Sequence, residues 1–218
     1  MATIFEKGDY QPIDGNFMTE SVDALRSLSE VQERYKKGDI DNFLNELHDS
    51  MVGYYLGFKY VNIAKHGFDC KYSLEKPVFL ESKVASFAAK SWAATFNDTT
   101  LEKASAFKGR NLWVALSVWK YNTDLLFVCY GRHRGIGEYL EAQVEKAKRE
   151  RRRSTQTIGL AQLIRDYGFR ILAVGREPAE ISELLVLKSP SLKKYALLER
   201  IDTVQTFQEP YFLDEYRN

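Results

Sequence analysis

The chain has few of the residues that build extracellular scaffolds. Among its 218 residues are two cysteines, Cys70 and Cys129, and five prolines. Two distant thiols exclude a disulfide framework and offer no paired-cysteine zinc site, and they are expected to stay reduced. No apolar run approaches the roughly 20 residues that a helix needs to cross a bilayer, so no membrane partner is expected. The opening stretch, MATIFEKGDYQPIDG, lacks the apolar segment of a secretory signal, and a cytoplasmic localisation is expected. The three histidines, His48, His66 and His133, lack ligand spacing to one another. Charge of one sign is also missing. Lys and Arg number 31 against 30 Asp and Glu, so bulk charge does not mark a nucleic-acid binder.

What is present is the composition of an ordinary folded protein, 44% hydrophobic and 28% charged. Apolar residues recur at helical spacing over 21–37 and again from Asp39 or Asp41 to Gly57. Strands are expected over 60–64, 68–73, 77–86, 111–119, 124–130 and 169–174, with 111–130 forming a hairpin. Helices are expected over 136–151, 158–167, 180–187 and 192–201. Residues 90–108 hold a short helix after Asn97-Asp98-Thr99 and are otherwise unclear. With no repeat or linker, the simplest account is one domain over 1–218. It has an irregular arm over 1–20 and a helical or extended C-terminal extension over 176–218. The fold class is α/β, a mixed central sheet flanked by helices.

The most informative stretch is GFDCKYSLEKPVFLESKVA, residues 67–85. Side chains at i and i+2 of a strand share a face, so Glu81 and Lys83 project together, and Asp69 approaches from the preceding strand. Two carboxylates and an ammonium at one point suit a divalent metal and a charged transition state. The apolar run Val78-Phe79-Leu80 before Glu81 makes this charged pair unusual for its surroundings. A second match, Asp69-Cys70-Lys71, lacks an upstream strand partner. The bland alternatives are a turn aspartate at Asp69 and a cross-strand ion pair at Glu81 and Lys83.

This pattern resembles the PD-(D/E)xK nuclease superfamily, with Phe68 where the family name has proline. The order helix, strand, strand, strand, helix, strand over about residues 40–175 also resembles that family's αβββαβ core. The resemblance implies a metal-dependent endonuclease of double-stranded DNA, most simply a homodimeric type II restriction enzyme. A repair, recombination or homing nuclease, or a non-catalytic DNA-binding protein, is the alternative. It implies Mg²⁺, with Mn²⁺ as substitute, held by Asp69, Glu81 and the backbone carbonyl of Ser82. Lys83 would stand beside the scissile phosphate. An acid on the first core helix is implied as well, here Glu46, with Asp49 as its rival.

Basic residues are concentrated in one region. Six fall within 146–153, and Arg132 and Arg134 lie just upstream. Arg151, Arg152, Arg153, Ser154, Thr155, Gln156 and Thr157 read as a loop able to touch phosphates and base edges. The alternative for Ser154 or Thr155 is a helix N-cap.

Overall fold

A computed structural model describes residues 15–35, 40–60, 68–72 and 78–206. The chain divides into two compact units, Met1–Leu47 and His48–Asn218. The first holds α1 (Gly15–Tyr35) and the start of α2 (Ile40–Leu56). α1 begins inside the span expected to be an irregular arm. Its helical stripe is sparse, with Val22 and Leu25 exposed, so periodicity alone does not reveal its first turns. The rest of that arm and Gly38 lie outside the described residues.

The second unit is built on a mixed sheet. Its strands in chain order are β1 (Lys59–Tyr60), β2 (Cys70–Lys71), β3 (Phe79–Ser86), β5 (Leu112–Trp119), β6 (Leu125–Gly131), β8 (Arg170–Val174) and β9 (Ile201–Val204). They lie in that order across the sheet, with the two-residue β1 added at one edge to six others. β3 pairs parallel to β5, and β8 to β9; the other pairs are antiparallel. A separate two-stranded sheet pairs β4 (Ala93–Phe96) with β7 (Gln156–Gly159).

Helices cover both faces. On one face, Val52, Tyr55 and Leu56 of α2 pack with Leu80, Ala115, Val128 and Leu172. Gly53 allows this approach, because a Cβ there would meet Cys70 Sγ at 2.7 Å. Gly57, at φ 79, ends α2 in the left-handed conformation that glycine takes without strain. On the other face lie α3 (Leu101–Ala106), α4 (Arg134–Arg149), α5 (Leu160–Arg165) and α6 (Pro178–Lys188). They contribute Ala104, Ile136, Leu140, Leu163, Ile164, Ile181 and Leu185 to a core with Val114, Leu116 and Phe127. Both cysteines are free and buried.

Several expected boundaries change. Residues 90–108 contain β4 as well as α3, whose N-cap is Thr100. The helix expected over 158–167 starts only at Leu160, because Gln156–Gly159 is strand β7. The helix expected over 192–201 is two 3₁₀ turns, Pro190–Lys194 and Leu197–Arg200, followed by β9. Each change reflects a pairing partner distant in sequence, which local spacing does not register. Of the strand expected over 60–64, only Tyr60 is described, and residues 73–77 also lie outside the described set.

Candidate active site

Strand alternation sorts the side chains of β3. Leu80 and Ser82 point toward the α2 face, and Phe79, Glu81, Lys83 and Ala85 toward the face of α3 and α4. β2 is short and begins only at Cys70, opposite Leu80, so the ladder with β3 stops there. Beyond it, the Ser82 N–H has no strand partner and donates instead to Asp69 Oδ2 at 2.7 Å. The Ser82 carbonyl leaves the strand on that same side. The side chain of Asp69 thus stands where β2 would have continued, next to Glu81. The structure brings Asp69, Glu81, Ser82 and Lys83 together.

Glu81 is only 2% exposed. Its Oε1 accepts from Lys83 Nζ at 2.7 Å and from Lys103 Nζ at 2.8 Å. Its Oε2 is buried with no partner. Lys103 comes from α3 and was not among the residues read from the sequence. Lys83 also lies over the ring of Phe96, 5.6 Å from its centroid.

The acid of α2 that joins this group is Asp49. Burial pushes its carboxyl up to about 7, and Asp69 and Glu81 push the same way, while the Ser82 side chain and Lys83 oppose them. Ser82 Oγ makes no bond of normal geometry, so its help to Asp49 is slight. Asp69 is raised too, first by burial and then by Glu81, against the Ser82 N–H and both lysines. Burial alone would lower Lys83, but the neighbouring carboxylates outweigh it and hold the ammonium more firmly protonated. Glu46 lies one turn earlier on α2, half-buried, in the N-terminal unit.

Two acids with raised pKa values and an orphaned carboxylate oxygen mark a site short of positive charge. Among the described residues no three His, Cys, Asp or Glu side chains converge at ligand spacing. Asp49 reaches the cluster from the α2 face, whereas Glu81 lies on the other. The donor set that fits a hard cation is therefore Asp69, Glu81 Oε2 and the Ser82 carbonyl, completed by water, an all-oxygen set of the kind Mg²⁺ takes.

The basic segment lies near this cluster. A groove of about 950 Å³ is lined by Phe68, Asn97, Asp98, Thr100 and Lys103. Lys103 joins it to Glu81. At its other rim, Asp98 faces Arg153 at 3.8 Å, and Thr99 N–H donates to the Ser154 carbonyl at 3.3 Å. Asp98 and Arg151 both take left-handed backbone conformations, φ 47 and 52, in these two adjoining loops. Arg151, Arg152, Arg153 and Thr155 are exposed, and so is Thr157 within β7.

Gln156 corrects the loop reading. It is 8% exposed, opposite Phe96 in the β4–β7 pair, and cannot read a base without unfolding that pair. Ser154 Oγ is also buried, and neither Ser154 nor Thr155 caps a helix, since Gly159 is the N-cap of α5. Arg132 is half-buried over Trp113, 5.0 Å from its ring, and donates to the Arg110 carbonyl. Arg134 is exposed and paired with Glu138. No protein-family model, curated protein or solved structure matches the chain.

Proposed function

We propose that this protein is a metal-dependent endonuclease that hydrolyses double-stranded DNA, most simply a homodimeric type II restriction enzyme using Mg²⁺ or Mn²⁺. The observation that carries this reading is Glu81. It is a buried carboxylate with two ammoniums on one oxygen and an unpartnered second oxygen, beside Asp69. A structural ion pair would place donors on both oxygens.

The order of elements supports it. α2, β1, β2, β3, α3 and β5 run helix, three strands, helix, strand, with β4 inserted before α3. Asp69 precedes the second of these strands, Glu81 and Lys83 lie on the third, and α3 forms the crossover to parallel β5. This is the arrangement expected of a restriction-endonuclease-like αβββαβ core.

Asp69, Glu81 and the Ser82 carbonyl would hold the cation, which when bound lowers the pKa of a water and neutralises phosphate charge. Lys83 acts as an ammonium. With its pKa raised it is a poor proton acceptor, so its part is to face the negative charge that builds on the phosphate oxygens. Asp49, poised near neutrality, is the group able to accept a proton from the α2 side. The exposed arginines of 151–153 reach the DNA backbone along the groove. A two-fold dimer would match a palindromic site.

The test is incubation with long DNA of mixed sequence and Mg²⁺, followed by sequencing of the ends. A discrete set of ends, lost in Lys83→Ala while DNA is still bound, is expected. Retention of DNA without any cutting in Mg²⁺ or Mn²⁺ would overturn the enzyme in favour of a binding protein.

A further inference from the structure

We propose that Lys103 is a substrate-contacting residue: that its ammonium leaves Glu81 and binds the phosphodiester when nucleic acid enters the groove. This rests on the nuclease reading of the site and names a residue which that reading does not require.

Lys83 and Lys103 share one oxygen of Glu81 but differ in their surroundings. Lys83 rises from β3 itself, is held under Phe96 and feels all three carboxylates. Lys103 stands on a neighbouring element, and its side chain lines the open groove. It is 28% exposed against 21% for Lys83. Two ammoniums on one oxygen repel each other, and the one with room to move is Lys103.

Its base is fixed, while its tip holds Glu81 at the side of the groove. Thr100 Oγ1 accepts from the Lys103 N–H at 3.1 Å, and this cap sets the first turn of α3. α3 in turn sits hard against α4 at Gly137. A Cβ there would come within 2.7 Å of the Ala104 carbonyl and the Lys108 nitrogen. The fold therefore delivers a flexible four-carbon stem with a point charge from a rigid anchor to the groove wall beside Glu81.

The experiment compares wild type with Lys103→Ala, Lys103→Gln and Lys103→Arg in two assays. Binding of a DNA duplex is measured across a salt series with Ca²⁺ in place of Mg²⁺, and cleavage is measured with Mg²⁺. Loss of one phosphate contact lowers the slope of log K against log salt by about 0.9. Lys103→Ala and Lys103→Gln are expected to show that fall and to lose about a hundredfold in kcat/KM, with Lys103→Arg recovering most of both. Should Lys103→Ala fail to fold, Lys103→Gln carries the comparison. An unchanged salt slope in a wild-type background that cuts would overturn the assignment, even if cleavage fell, because Lys103 would then act only through Glu81. A wild type that neither binds nor cuts DNA would instead overturn the nuclease reading, and this inference with it.

Discussion

β3 and β5 are parallel neighbours of eight residues each, in register from Phe79 opposite Leu112 to Ser86 opposite Trp119. Every residue of β5 is buried, and seven of the eight are hydrophobic residues of the core, Ser117 being the exception. β3 shares that environment along one edge and still places Glu81, Ser82 and Lys83 opposite Val114, Ala115 and Leu116. The difference lies in the other edge. β5 is flanked by β6 from Val114 to Trp119, whereas β2 leaves β3 after Leu80. A gap in the sheet is what allows Asp69 to bond the Ser82 backbone, and Lys103 connects Glu81 to the groove beside it. Of two adjacent strands, one holds the fold together and the other gives up apolar packing to concentrate charge.

The sharpest way to break this contrast is to make β3 resemble β5. Replacing a whole buried ion pair by apolar side chains of similar size is often neutral or stabilising, whereas removing one partner leaves the other charge buried and uncompensated. Removing both members, as in Glu81→Leu/Lys83→Met, is therefore expected to abolish cleavage, by at least about a thousandfold, while thermal unfolding shows a midpoint unchanged or raised; Glu81→Leu alone leaves the Lys83 ammonium without its partner and should be destabilised by about 3–5 kcal/mol. Leu116→Ala, at the position opposite Lys83, should do the reverse. It should cost about 2–5 kcal/mol in denaturant unfolding and leave the rate of the remaining folded protein near normal. A Glu81→Leu/Lys83→Met protein that is strongly destabilised would show that the ion pair is a structural tie.

Asp49 sharpens the contrast through pH. Its folded pKa is raised from 3.8 to about 7. Below pH 4 it is protonated in both states and has no effect on stability. As pH rises from 4 to 7 the unfolded chain ionises first, so the native state loses stability, by roughly 1.4 kcal/mol per pH unit at most. Above 7 the penalty is complete. Asp49→Asn is expected to match wild type at pH 3 and to be more stable at pH 8, as urea unfolding at both pH values would reveal. Equal stability of the two proteins at pH 8 would mean that Asp49 is not raised. Cleavage should fall in this variant at all pH values, since the amide cannot take a proton.

How much of this was legible depends on what sits next to what in the chain. Glu81 and Lys83 were readable because a period of two is local, and Asp69 because only a short connection separates it from β3. Asp49 was weighed as the lesser choice beside Glu46. Helical spacing puts the two acids one turn apart, and only the docking of Gly53 on Cys70 shows Asp49 against β3. His48 gives the same orientation from the preceding position, with its ring 4.2 Å from Trp119 and its Nε2 bonded to the Asn122 carbonyl. No signal marked Lys103. It belongs to the stretch 90–108, whose strand β4 finds its partner about sixty residues later in β7. The same long-range pairing turned Gln156 from an imagined base reader into a buried strand residue.

Gly137 tests whether the position of α3 matters to the charged strand. Gly137→Ala must displace the Ala104 carbonyl and the Lys108 backbone, both now within 2.7 Å of the new Cβ. Overpacking of this kind costs about 1–3 kcal/mol. Because α3 carries Lys103, cleavage is expected to fall about tenfold more than stability alone explains, measured at a temperature where the variant remains folded. A loss of stability with full activity would show that Lys103 tolerates a shifted helix.

The smallest effect is expected at the far rim of the groove. Arg153 is 87% exposed, and its contact with Asp98 is long, at 3.8 Å. Such a pair contributes little, so Arg153→Ala should leave unfolding within about 0.5 kcal/mol of wild type. If the arginine meets a DNA phosphate, its loss should reduce the salt slope of binding by about 0.9 and weaken all sequences alike. Gln156→Leu is the companion change, because it removes a buried amide whose Nε2 has no partner. That change should leave the salt slope and the target preference untouched and hold or raise stability. Opposite results, with Gln156→Leu altering sequence preference and Arg153→Ala doing nothing, would place the DNA-reading surface on β7 and away from the arginine loop.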